Sequence, residues 1–222
     1  MYYKNELNKK KIAKSTLKYI KNSSIIGIGT GTTVNYFIKY ISTIKYLNKK
    51  TLYIPSSKIT EQYLKFFNLP ITNINSISDL PIYIDSADEI TTKYNMIKGG
   101  GGALTREKII ASFAKKFICI VEERKIVKKL GKFPVAVEVI PMAKNHVINE
   151  LTKLGGIPKQ RINFITDNGN IILDVHNLNI KNPKSLEKKI NNIPGVIENG
   201  IFAKRTANKI IIGTKNNRII KL

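Results

Sequence analysis

Apolar positions at Leu7, Ile12, Leu17 and Ile20 keep a helical spacing over residues 6–21, and Ile25–Ile28 is a short continuous apolar run that ends in glycines. Helical spacing returns over residues 33–47 through Val34, Phe37, Ile38 and Ile41. A second strand is predicted at Thr51–Ile54, followed by Pro55-Ser56-Ser57 and a helix to about Phe67. Pro81–Ile84 reads as a strand running directly into Asp85. A helix from about Thr105 to Lys116 and a strand at Phe117–Val121 complete this half. Strands alternating with helices of 10 to 15 residues predict a parallel sheet with helical crossovers, which places ligands beyond the carboxyl ends of the strands.

The pattern changes after residue 131. Val135–Ile140 alternates as a strand, Met142–Leu154 is helical, and Gly155-Gly156 stops that helix. Arg161–Thr166 and Asn170–Val175 predict a hairpin around Asp167-Asn168-Gly169. Asn182-Pro183 opens another helix as N-cap and first helical residue, and a strand over Val196–Ala203 follows. The order is βαββαβ, the ferredoxin-like arrangement. Lys209–Gly213 and Arg218–Leu222 read as short strands that return to the first part. The expectation is therefore an α/β protein: a Rossmann-like parallel-sheet main domain (1–130 plus 204–222) and a smaller ferredoxin-like α+β domain (131–203).

With 222 residues the chain can bury a core without disulfide or metal staples. Its net charge of +23 suggests a nucleic-acid partner until the source of the charge is inspected. Thirty-three of the 38 cations are Lys and five are Arg, alongside 39 Ile and 23 Asn. Such usage follows from an AT-rich coding sequence, and the residue best suited to reading bases and phosphates is the scarce one. Nucleic acid is thus not the expected partner. No run approaches 18 apolar residues and the first residues carry no apolar stretch of signal-peptide length, so no membrane association is expected. A single cysteine, Cys119 within Phe117–Val121, excludes a disulfide framework and suits a reducing compartment, hence a cytoplasmic location.

Four clusters could carry chemistry. Gly27-Ile28-Gly29-Thr30-Gly31-Thr32-Thr33 lies at a strand-to-helix junction, where glycines let backbone N–H groups approach an anion and threonine hydroxyls add donors. A dinucleotide site would need an acidic residue about 20 positions on. None occurs between Glu6 and Glu61, so a small phosphate ester is preferred to NAD, with a plain tight turn as the bland alternative. Asp85-Ser86-Ala87-Asp88-Glu89 follows a strand and includes two of the five Asp in the chain. Carboxylates there can hold sugar hydroxyls and pass protons, or merely cap a loop. A divalent-metal site lacks supporting histidines, because His146 and His176 fall in the smaller domain.

Lys98-Gly99-Gly100-Gly101-Gly102 places four glycines in a row, an entropic cost that a simple linker rarely needs. Their amides with Lys98 would make an oxyanion-stabilising wall. Glu107 then falls in the first turn of a helix, where the dipole and Lys98 favour its ionised form and burial opposes it. On its own Glu107 reads equally as a helix-start residue or a catalytic base. Glu122-Glu123-Arg124-Lys125 begins just past a strand's carboxyl end and reads as a solvated turn, with Lys125 open as a substrate contact.

Taken in order, Gly27–Thr33, Asp85–Glu89, Lys98–Lys108, Gly131–Met142, Thr166–Asp174 and Ile193–Phe202 resemble the successive signatures of the type A ribose-5-phosphate isomerases. The resemblance runs from about residue 6 to residue 214. It implies interconversion of D-ribose 5-phosphate and D-ribulose 5-phosphate with no metal or organic cofactor. It also implies a homodimer. The family's proton acceptor falls on Glu107. Its substrate loops fall on Thr30, Gly31, Thr32 and Thr33, on Asp85, Ser86, Ala87 and Asp88, and on Lys98, Gly99, Gly100 and Gly101, with a further lysine at Lys125. Asp85, Asp88 and Lys98 would join Glu107 in catalysis, and the N-terminal phosphate lysine falls on Lys9. Two departures are Ser86, where the acidic motif usually has glycine, and Thr32, where serine is common and the hydroxyl is kept. Other readings are a non-catalytic sugar-phosphate sensor, which would need a fused DNA-binding segment that residues before Glu6 are too few to supply, and a CoA-transferase or sugar-deaminase relative, which should lack the full set of motifs.

Overall fold

The computed structural model describes residues 2–21, 23–216 and 218–222, with side chains placed for all of these except 2–5, 46, 48 and 49. In chain order the elements open with α1 (Tyr2–Thr16), β1 (Ile25–Ile28), α2 (Thr32–Ser42), α3 (Lys45–Lys50), β2 (Leu52–Pro55), α4 (Lys58–Phe66) and β3 (Leu80–Asp85). They continue with β4 (Glu89–Ile90), β5 (Met96–Ile97), α5 (Leu104–Phe113), β6 (Ala114–Glu122), β7 (Val135–Val139), α6 (Lys144–Lys153), β8 (Ile157–Gln160) and β9 (Ile171–His176). The last are α7 (Pro183–Asn191), β10 (Val196–Asn199), β11 (Ile201–Phe202), β12 (Lys209–Gly213) and β13 (Ile219–Lys221).

The chain divides into two compact units. The first comprises Met1–Ala87, Ile109–Ile126 and Ala207–Leu222, and the second Asp88–Lys108 and Val127–Thr206. The first unit holds a six-stranded sheet in the order β13-β12-β6-β3-β1-β2. All its neighbours are parallel except the edge pair β12–β13. Burial on both faces explains the continuous apolar runs of β1 and β6. Helix α2 buries Val34, Phe37, Ile38 and Ile41, the i, i+3, i+4, i+7 stripe read from the sequence, into a core with Ile26, Ile28 and Ile84.

Sheet order fixes where chemistry can sit in this unit. From β1 the sheet grows to β2 on one side, and the chain then returns to place β3 on the other side of β1. That reversal is a topological switch point, and the residues just past the carboxyl ends of β1 and β3 are Gly29–Thr33 and Ser86-Ala87.

The second unit holds an antiparallel sheet in the order β10-β7-β9-β8 with α6 and α7 between strands, the ferredoxin-like order. Its core joins Val135, Val137 and Val139 to Val147, Leu151, Leu173 and Ile190. A small sheet, β11-β5-β4, belongs to the same unit.

Three local expectations need correction. The hairpin partner of β9 is β8 at Ile157–Gln160, and residues 161–166 are irregular, because Ile157 pairs with His176 and Gln160 with Leu173 and the chain then loops out to the Asp167-Asn168-Gly169 turn. The strand expected over Val196–Ala203 is two strands in two sheets. Gly200 separates them, its N–H bonded to Ala136 O and its carbonyl to Lys98 N. The helix expected over residues 33–47 is α2 and α3, parted at Thr43-Ile44.

Candidate active site

In the first unit, Asp85 ends β3 with no exposed surface. Its Oδ1 accepts the N–H of Thr30 at 3.1 Å and of Ser86 at 2.7 Å, and its Oδ2 accepts the hydroxyl of Tyr83 in a short hydrogen bond. Gly29 makes this approach possible, since a Cβ at that position would overlap the Asp85 carboxyl. Gly31, at φ +132°, turns the chain into α2, whose N-cap carries no side-chain cap and whose first turn carries no acidic residue. The N–H groups and dipole of that turn favour an anion. Thr32 is exposed there and Thr33 is buried.

Thr30 behaves differently from its neighbours. Its hydroxyl lies 2.9 Å from both Ser56 Oγ and Ser57 Oγ and 3.2 Å from Thr60 Oγ1, and Thr60 in turn donates to Gly29 O at 2.8 Å. The structure therefore uses the Thr30 side chain to brace the loop. Ser56, Ser57 and Thr60 were not singled out as site residues from the sequence. The available signal was Pro55-Ser56-Ser57 just beyond β2, with Ser57 as N-cap of α4 bonding Thr60 N at 3.0 Å.

In the second unit, Lys98 and Glu107 form a buried ion pair: Nζ lies 3.1 Å from Oε2, and the two side chains are 3% and 6% exposed. Lys98 follows β5, its N–H is tied to Gly200 O at 2.9 Å, and its ammonium lies 5.5 Å from the Phe202 ring centroid. Asp88 accepts the N–H of Gly100 at 2.8 Å, and its own N–H donates to Ile97 O. Gly99 and Gly102 have positive φ of +108° and +76° and are buried, whereas Gly100 and Gly101 are exposed. A Cβ on Gly99 would lie 2.8 Å from that of Ala136, and one on Gly102 would overlap the Phe164 ring. The outer glycines thus fold the loop, and Gly100 gives its N–H to Asp88.

The residues flanking Glu107 in α5 are locked by polar groups absent from the sequence-based site. Lys108 Nζ donates to Glu187 Oε1 (3.0 Å), Glu198 Oε1 (2.9 Å), Asn199 O (2.7 Å) and Ile201 O (2.8 Å). Thr105 Oγ1 makes a short hydrogen bond to Glu138, which is fully buried and also accepts from Thr166, Asn168 and Asn170. The Asp167-Asn168-Gly169 turn therefore helps brace α5 besides closing a loop.

The two peripheral lysines lie in the first unit. Lys125 is half-buried in the 3-10 turn Glu123–Lys125 past β6. Lys9 is half-buried on α1. Its neighbour Lys10 lines a cavity of about 390 Å³ together with Thr32, Lys39 and Tyr36, and Lys9 is not part of that lining. Lys10 and the Tyr36 hydroxyl hold the Glu6 carboxyl below its ordinary range. Among the described residues no three His, Cys, Asp or Glu side chains are grouped to hold a metal.

In this α/β protein the first unit sets an uncapped helix start and the buried Asp85 carboxylate at a switch point, an arrangement that favours an anion, and the second unit holds a buried lysine-paired glutamate after a glycine loop, an arrangement suited to proton transfer. The family model described as ribose 5-phosphate isomerase A (phosphoriboisomerase A) matches residues 52–217. The ribose-5-phosphate isomerase A of Legionella pneumophila (strain Lens) is 56% identical over 204 residues, 92% of this chain and 94% of that one. That of Blochmanniella pennsylvanica (strain BPEN) is 54% identical over 207 residues, 93% and 94% of the two chains. Among solved structures, ribose 5-phosphate isomerase A from Neisseria gonorrhoeae superposes with a TM-score of 0.92 at 40% identity, covering 97% of this chain and 95% of that one. A D-ribose-5-phosphate isomerase in complex with phospho-erythronic acid gives 0.92 at 39% identity, covering 97% of each chain. The chain belongs to the ribose 5-phosphate isomerase A family.

Proposed function

We propose that this chain interconverts D-ribose 5-phosphate and D-ribulose 5-phosphate by proton transfer through an enediolate, with Glu107 as the base. The observation that carries this assignment is the buried Lys98–Glu107 pair at 3.1 Å. Glu107 takes the proton from C2 of the open-chain aldose, and the electron pair moves onto O1 to give the enediolate. A proton passes between O2 and O1, and Glu107 returns its proton to C1. The ammonium of Lys98 and the amide of Gly101 stabilise the negative charge that develops on oxygen, and the Gly100 amide holds Asp88. Asp85 and Asp88 hold sugar hydroxyls and assist ring opening, with the backbone of Ser86 and Ala87 alongside. Gly31, Thr32 and Thr33 receive the phosphate at the start of α2, braced by Thr30, and Lys125 and Lys9 are its further cations. The phospho-erythronic acid held by a related structure is a phosphorylated sugar acid, the ligand chemistry this reading needs.

We place the enzyme in the cytoplasm as a homodimer. The buried Cys119 supports a reducing compartment, and the exposed Met142, Ile162 and Ile165 of the second unit support an apolar contact with a second copy. Among the described residues no helix is long and apolar enough to cross a membrane. The test of function is ketose formation from ribose 5-phosphate by the wild type and by Glu107→Gln. Loss of a general base lowers turnover by about 10²- to 10⁴-fold. Wild-type turnover in the variant would remove Glu107 from this role.

A further inference from the structure

Arg161 is one of five arginines among 38 cations, and its guanidinium uses three nitrogens on two different targets. Nε and Nη2 grip Asp174 of β9 as a fork, at 2.9 Å to Oδ2 and 2.6 Å to Oδ1. Nη2 also donates to Gly99 O at 3.1 Å, and Nη1 donates to Gly100 O at 3.3 Å. The guanidinium carbon lies 5.2 Å from the centroid of Phe164, the ring that occupies the space a side chain at Gly102 would need. A glycine loop whose own backbone is intrinsically loose is thus held through two of its carbonyls by a cation anchored in the sheet.

Peptide planarity converts this grip into a direction for the amides. In a trans peptide the C=O and N–H leave opposite edges of the plane. With Gly99 O turned to Arg161, the Gly100 N–H points the other way and meets Asp88 Oδ2 at 2.8 Å. With Gly100 O turned to Arg161, the Gly101 N–H likewise faces away from the guanidinium. We propose that Arg161 is a positioning residue of the isomerase, holding the Gly99 and Gly100 carbonyls so that the Gly100 amide keeps its bond to Asp88 and the Gly101 amide faces the developing enediolate. This inference rests on the reaction assigned above. Lysine cannot take over the task, because one ammonium lacks the planar fork that reaches a carboxylate and two carbonyls at once.

The test compares wild type, Arg161→Lys and Asp174→Asn for kcat and KM on ribose 5-phosphate and for inhibition by a phosphorylated four-carbon hydroxamate, a planar mimic of the enediolate. Removing one oxyanion donor outright costs about 10²- to 10³-fold in kcat, so misdirecting the Gly101 amide is expected to lower kcat by about 10- to 100-fold in Arg161→Lys. KM should stay within about threefold, and hydroxamate affinity should fall in step with kcat. Asp174→Asn, which loosens the fork, should show a smaller loss with the same split. Addition of guanidinium to Arg161→Ala should restore part of kcat where ammonium does not. Unchanged kcat and hydroxamate affinity in folded Arg161→Lys would overturn the proposal, as would a rise in KM at constant kcat or a loss of activity that only follows the loss of folded protein. Glu107→Gln run in parallel separates the two levels. Full activity there counts against the assigned base, whereas an inactive Glu107→Gln beside an unaffected Arg161→Lys counts against this inference alone.

Discussion

Replacing Lys108 with Met removes one ammonium and keeps most of the aliphatic stem. In the structure that ammonium satisfies four acceptors at 2.7–3.0 Å and lies 4.8 Å from the Phe202 ring centroid. Its side chain is 10% exposed, and its partners Glu187 and Glu198 are 2% and 17% exposed. The substitution leaves two carboxylates without their counter-ion. Breaking a buried pair in this way costs about 3–5 kcal/mol, and for a chain of this size each kcal/mol lowers Tm by about 2–4 °C. The expected drop is therefore roughly 6–20 °C by thermal unfolding. Lys65→Met removes an exposed pair with Glu61 and should move Tm by less than about 2 °C, the value expected when solvent screens both charges. Adding Glu187→Gln to Lys108→Met should recover part of the loss by removing one uncompensated charge. Because Lys108 adjoins Glu107 in α5, kcat should fall by more than the folded fraction explains. A Lys108→Met protein as stable as Lys65→Met would refute this assignment of the network.

Gly29→Ala drives a Cβ into the Asp85 carboxyl and breaks its bonds to Thr30 and Ser86. Turnover should fall by about 10²-fold, the effect of a displacement near 1 Å at a reacting centre, with an intact fold by circular dichroism; full activity would contradict the role of Asp85. A chelator should leave ketose formation unchanged, and a loss restored by a divalent ion would contradict the proposed proton-transfer mechanism.

Much of the first unit was legible because its elements declare themselves locally. β1, β3 and β6 are buried on both faces and so are apolar runs, and α2 shows its buried stripe at helical spacing. The candidate clusters stand out in the sequence for a related reason: runs of glycine and carboxylates just past strand ends interrupt the apolar pattern around them. What escaped depends on distant partners. β4 and β5 have two residues each and exist through their pairing with each other and with β11, and this groups Asp88–Lys108 with the second unit. Lys108 lies 79 residues from Glu187, and Thr105 lies 33 from Glu138. No periodicity registers such contacts, and in a chain with 33 lysines nothing marks Lys108 as a buried one. β8 lies before the strand expected at Arg161–Thr166 beside the Asp167-Asn168-Gly169 turn, and it runs through Pro158 at the edge of the sheet, where a missing N–H is tolerated. The net charge changes meaning accordingly: Lys98, Lys108 and Arg161 are each tied to named partners within the second unit, and the total charge does not itself define a ligand.

The central claim is that a carbon-bound proton moves through Glu107. Its most direct measurement is the isotopic content at C1 of ribulose 5-phosphate formed in D2O, read by nuclear magnetic resonance for wild type and Glu107→Gln. The expected result is deuterium at C1 with the wild type, from exchange of the Glu107-held proton with solvent, and ketose formation and exchange both lowered by about 10²- to 10⁴-fold with the variant. Ketose formation or exchange by the variant at the wild-type rate would contradict the account.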